Sequence, residues 1–122
     1  MYKNIIKIMI LLILIDIFYL QSIGKNVFIP MLNNIQNEET KVKLLYAVLC
    51  YVFLAYGLNH FIIQNNKTIK DAFILGVVIY GVYETTSMAL LNKWTTKAVV
   101  IDTIWGGILF STTTFIYNKY FN

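Results

Sequence analysis

The chain has 122 residues, of which 58% are hydrophobic, 16% aromatic and 13% charged, and its mean hydropathy is +0.65. Soluble domains are about 45–50% apolar and roughly 25% charged, and a small soluble fold exposes too much of its chain to hide such a surplus, so the composition excludes both disorder and an ordinary water-soluble domain. Ten Lys and no Arg against six acids give a formal net charge of +4, and lysines scattered singly suit membrane-face anchoring rather than a nucleic-acid patch.

A spanning helix needs about 20 mostly apolar residues. Four windows reach that length: Asn4–Ile23, Leu44–Ile63, Ala72–Leu91 and Ala98–Tyr117. The first has the outline of a signal peptide, with Lys3 and Lys7 before an apolar centre Ile8–Leu20 and a small-residue pattern at Ser22-Ile23-Gly24. Asp16 inside that centre argues instead for a retained helix. The connection Gly24–Lys43 contains Val27-Phe28-Ile29-Pro30-Met31-Leu32, broken by Pro30 and too short to span, so an interfacial segment is expected there. Asn33 to Lys43 is expected to form a short amphipathic helix.

In the second window Cys50, the only cysteine, is expected as a small buried hydrophobe. No internal disulfide can form, and no Cys/His cluster is available for structural zinc. His60, beside Asn59, reads as a hydrogen-bonded residue near a helix end. The connections Gln64–Asp71 and Asn92–Lys97 are short enough to force helices two, three and four into antiparallel neighbours. Asn66-Lys67-Thr68 matches a glycosylation acceptor but lies too close to the bilayer for use.

Tyr2, Tyr46, Trp94, Tyr117 and Tyr120 fall where interfacial anchors belong. The expected architecture is one all-α domain, an antiparallel four-helix bundle integral to a membrane. Five lysines fall on each side, and Lys3 and Lys7 favour cytoplasmic termini.

Ionisable residues inside spans are costly and face a bundle interior or a watery cavity. Asp16, Glu84 and Asp102 fall about 10, 10 and 6 Å from the same membrane face at 1.5 Å rise per residue. Helical spacing adds companions: Leu12 and Tyr19 with Asp16; Gly76, Tyr80, Tyr83 and Ser87 with Glu84; Trp105, Gly106, Leu109 and Thr113 with Asp102. At the same depth the second helix offers Tyr46, Cys50, Tyr51 and Phe53. Gly76 and Gly106 allow close helix approach. These stripes predict a pocket of three carboxyl groups, several hydroxyls and one indole. No Lys lies at that depth, so the acids require protonation or a bound cation, or a lysine (Lys93 or Lys97) reaching down from the adjoining loop.

The run Tyr83-Glu84-Thr85-Thr86-Ser87-Met88-Ala89-Leu90-Leu91 with Trp94 resembles the Tyr-Asp-x-Thr-Asn-x-Ala-x-Leu-x-x-Trp signature of a predicted-membrane-protein family catalogued as a domain of unknown function (DUF2177). Asp102-Thr103-Ile104-Trp105-Gly106 resembles its Asp-x-x-Trp-Gly motif, and Leu14 to Leu20 is similar to its first-helix element. Ala55-Tyr56-Gly57-Leu58-Asn59-His60-Phe61 is similar to its second helix. The resemblance implies a four-helix membrane fold with members in bacteria and large DNA viruses. It singles out Asp16, Glu84, Thr86, Ser87, Trp94, Asp102, Trp105 and Gly106. This chain departs from the pattern at Glu84 (for Asp), Ser87 (for Asn) and Thr95 (for Pro).

The sequence therefore supports a small polytopic membrane protein whose acidic pocket binds a small cation, a proton or a cationic lipid head group. The site residues expected are Asp16, Glu84, Asp102, Trp105, Tyr80, Tyr83, Thr86, Ser87 and Trp94. Two alternatives stand beside it: a lipid-modifying enzyme with a carboxyl general acid/base, and an assembly component of a cellular or viral membrane whose acids are packing glue. The partners expected are the bilayer and a second copy of the chain, not nucleic acid. No residue pattern names a cofactor, and no metal is expected.

Overall fold

The computed structural model describes the backbone of residues 2–121 and the side chains of residues 4–121. Helix α1 (Tyr2–Tyr19) runs without a break through a π-helical stretch, Leu20–Phe28, into α2 (Ile29–Gln36). Helix α3 (Leu44–Leu58) likewise ends in a π-helical stretch, Asn59–Ile63, and α4 (Ile69–Leu90) and α5 (Thr96–Tyr120) complete the chain. Among the described residues, four continuous segments are long and apolar enough to cross a membrane: Asn4–Gln36, Leu44–Ile63, Ile69–Leu90 and Thr96–Tyr120.

The first segment corrects the sequence expectation. Helix continues where a connection from Gly24 to Lys43 was expected, and the chain leaves it only at Asn37, whose left-handed φ of 57° closes α2. Pro30 does not break it. A proline in a helix needs relief for the carbonyl it crowds and for its missing donor, and π-type adjustments supply that relief. Here the Ile29 N–H reaches back five residues to Gly24 O, so the wider π-type bonding lies directly ahead of Pro30. At 33 residues the segment is roughly 50 Å long at 1.5 Å per residue, longer than a bilayer core of about 30 Å. Its surplus, α2, folds against the connection between α4 and α5: Met31 packs with Trp94 and Ala98, and Lys93 Nζ donates to Asn34 O at 3.2 Å.

The remaining helices start where hydroxyls can cap them. Thr68 accepts from the Asp71 N–H at 3.1 Å while Asp71 accepts from the Thr68 N–H at 3.2 Å, a capping box at the head of α4. Thr95 accepts from the Ala98 N–H at 3.2 Å to begin α5.

Helices α4 and α5 form the tightest pair. A Cβ on Gly106 would lie 2.6 Å from Gly76 O, and one on Gly107 would lie 2.7 Å from the Phe73 ring, so the two backbones meet through bare glycine surface. Helix α1 packs on both α3 and α5, burying Ile8, Leu12, Asp16 and Tyr19 along one stripe. Leu54, Ala55, Leu58, Ile62, Leu109, Phe110 and Tyr117 complete the core. Large apolar side chains such as Phe18, Phe53 and Val82 point outward, as expected of a surface solvated by lipid.

Several anchor assignments are revised. Tyr46 and Tyr120 are exposed, but Trp94 and Tyr117 are buried inside the bundle, and the Tyr2 side chain lies outside the described residues. Cys50 is exposed rather than buried. The His60 ring also faces outward, stacked on Tyr56 with centroids 5.7 Å apart.

Candidate functional site

Each of the three intramembrane carboxyls is held by aromatic donors from other segments of the chain. Asp16 on α1 accepts from Trp105 Nε1 of α5 at 2.8 Å and from the Tyr51 hydroxyl of α3. Asp102 on α5 accepts from the Tyr19 hydroxyl of α1 at 2.9 Å. Glu84 on α4 accepts from Trp94 Nε1 at 2.9 Å. The positions follow from helical spacing: Asp16 and Tyr19 are three apart on α1, Asp102 and Trp105 three apart on α5, so each helix contributes one acid and one donor to the same face. The two donors then stack, Tyr19 on Trp105 at 4.6 Å between ring centroids.

The acids do not share one space. Glu84 and Asp102 line a cavity of about 330 Å³ together with Tyr19, Phe28, Tyr83 and Trp94. Asp16 is not in its wall; its two oxygens accept from Tyr51 and Trp105. The rings around the cavity neighbour one another in sequence, Tyr19 to Phe28 at 6.3 Å, Phe28 to Trp94 at 6.4 Å and Trp94 to Tyr83 at 6.2 Å.

Glu84 is fully buried. One of its oxygens takes the Trp94 N–H; the other, Oε2, has no N–H or O–H donor among the described residues, and the Asp102 carboxyl lies within hydrogen-bonding reach of the Glu84 side chain. A buried acceptor left unmade is costly, more so when charged, so Oε2 requires a proton, a water or a ligand. Among the described residues no three His, Cys, Asp or Glu side chains gather closely enough to hold a metal ion.

A second cavity of about 320 Å³ adjoins the first, lined by Cys50, Leu54, Ile79 and Tyr80, and by Tyr83 and Asp102, which border both. It lies between α3 and α4, which pack on other helices rather than firmly on each other.

A family model, "Predicted membrane protein (DUF2177)", matches residues 1–117. The chain belongs to this family. It is accordingly a multi-pass integral membrane protein and sits in a lipid bilayer. No curated protein and no solved structure matches it.

The residues expected from the sequence now have places. Glu84, Asp102, Tyr83 and Trp94 border the first cavity; Tyr80, whose ring fills the space over Gly106, borders the second. Asp16 and Trp105 hydrogen-bond to each other beside it. Thr86 is exposed and Ser87 half-buried, and neither lines a cavity with the acids. Lys93 does not reach down to the carboxyls, being engaged by Asn34.

Sequence reasoning left Tyr19, Phe28 and Tyr51 out of the site. Tyr19 was on the Asp16 stripe and Tyr51 at the matching depth, so an acceptor's need for donors could have found both. Phe28 could not be found while its segment was read as a connection.

Proposed function

We propose that the cavity between Glu84 and Asp102 binds an organic ammonium group within the membrane. One observation supports this reading: Glu84 Oε2 is buried without a donor, beside a cavity that the Glu84 and Asp102 carboxyls and four aromatic rings line together. An ammonium group placed there supplies the missing charge. Aromatic faces within about 6 Å of a cation add roughly 0.5–2 kcal/mol each, more where water is excluded.

The same walls disfavour a small inorganic ion. Calcium takes 6–8 oxygen ligands and magnesium demands a near-octahedral oxygen set, whereas most of this lining is aliphatic and aromatic side chain. Asp16, with both oxygens engaged by Tyr51 and Trp105, belongs to the scaffold of the site rather than to its ligand surface.

Titration of the purified protein with tetramethylammonium, followed by calorimetry, tests the reading. Saturable binding that Glu84→Gln weakens at least about tenfold, the loss of one charge contact of roughly 1.4 kcal/mol or more, supports it. Absence of binding to the wild-type chain refutes it.

A further inference from the structure

We propose, resting on the ammonium reading above, that the ligand is a lipid, with its ammonium head in the first cavity and its acyl chain in the slot between α3 and α4. The two cavities are continuous in composition of their walls: Tyr83 and Asp102 border both. They differ in chemistry, the first carrying two carboxyls and the second walled largely by Leu54, Ile79, Cys50 and the Tyr80 ring.

The second also reaches deeper. Counting 1.5 Å per residue from the helix ends beside the α4–α5 connection, Glu84, Asp102 and Cys50 lie about 9 Å in, whereas Leu54 and Ile79, at the far end of the second cavity, lie about 15–17 Å in, near the middle of a core about 30 Å thick. The first cavity is capped on the shallow side by Leu32 of α2 and by Trp94. A ligand following this path has its charged end near the membrane face and its apolar end at the midplane. That is the orientation of a lipid in the same leaflet. The slot is open laterally: Cys50 and Tyr83 on its rim are exposed, so a chain can enter from the bilayer without crossing water. A free organic cation would satisfy the first cavity and leave the second without a role.

Photo-crosslinking distinguishes the two sources. The protein is placed in phosphatidylglycerol nanodiscs with a single-chain alkyltrimethylammonium lipid, which carries no phosphate between head and chain, bearing a diazirine a few carbons behind its head. The expected labelling concentrates at Cys50, Leu54 and Ile79 and falls at least about tenfold when excess tetramethylammonium occupies the head-group cavity. Even labelling that extends equally to the outward-facing Phe18, Phe53 and Val78, and that tetramethylammonium does not change, overturns the chain assignment. If tetramethylammonium binds but labelling is even, the cavity reading stands and the lipid assignment falls. If tetramethylammonium does not bind, both fall together. Cys50→Trp, at an exposed position where the fold tolerates bulk, narrows the slot. It should cut labelling of Leu54 and Ile79 about tenfold, the effect of excluding roughly two methylenes, while Phe18→Trp on the outer face leaves it unchanged. Equal labelling in the two variants contradicts the proposal.

Discussion

Tyr19 and Trp105 lie face to face, 4.6 Å between centroids and 4° from parallel, and each gives its hydrogen to a different aspartate: Tyr19 to Asp102 and Trp105 to Asp16. The stack therefore couples α1 to α5 twice over, through ring contact and through crossed hydrogen bonds.

Breaking that link should be costly. Trp105→Phe removes the indole donor and leaves one Asp16 oxygen unpaired in a buried site, a loss of about 1–3 kcal/mol, with part of the stacking energy, roughly 0.5–1.5 kcal/mol, lost as well. Unfolding titration in mixed micelles should show this destabilisation. A stability equal to wild type would mean that the crossed bonds contribute nothing.

The three acids should separate by role. In Asp16→Asn the amide offers one acceptor oxygen where two donors converge, and the Trp105 N–H cannot reverse its polarity. Stability should fall by about 1–3 kcal/mol while ammonium binding survives. Glu84→Gln, in contrast, should spare most of the stability and lose the binding. Identical behaviour of the two variants in both assays would erase the distinction between scaffold and ligand surface.

The helix pair α4–α5 depends on bare backbone. Gly76→Ala drives a methyl into the Gly106 backbone, and since neither backbone can yield as a flexible side chain would, about 1–3 kcal/mol or more should be lost to overpacking. Gly57→Ala meets nothing within 4 Å and should be neutral or stabilising by up to about 1 kcal/mol through helix propensity. Thermal denaturation of the two variants in one detergent checks both signs.

The α2 extension should be separable from the bundle. Met31→Ala removes a buried side chain from the Trp94–Ala98 contact, at about 2–5 kcal/mol if the site cannot collapse. Because Trp94 also donates to Glu84, the variant should weaken ammonium binding as well. Stability and affinity measured together would reveal the link; an unchanged affinity would show that Trp94 holds its place without α2.

Much of this architecture is legible in the residues themselves. Run length finds the last three spans closely because Thr68 and Thr95 cap their helices and polar connections flank them. The Leu12–Asp16–Tyr19 stripe and the close-approach role of Gly76 and Gly106 follow from spacing and residue size; that Ile8 extends the stripe and that the two glycines face each other comes from the structure. The first helix is mis-ended because Gly24 and Pro30 normally punctuate a helix, and single-residue rules do not foresee a π-helical stretch that accommodates both. Trp94 and Tyr117 look like interfacial anchors by position, yet their rings turn inward: Trp94 has a buried acid to satisfy, and Tyr117 packs among Phe110, Ile62 and Ile63. Depth arithmetic places three acids at one level, but it does not say which donors each one takes or which of them border a cavity.

The most direct measurement is a solid-state NMR contact between the methyl carbons of labelled tetramethylammonium and the Glu84 side-chain carboxyl in bilayers. The account predicts a contact of about 5–6 Å to Glu84, with a matching one to the Trp94 ring, and none to Asp16. A bound ammonium that contacts Asp16 instead, or that touches none of the cavity walls, would contradict it.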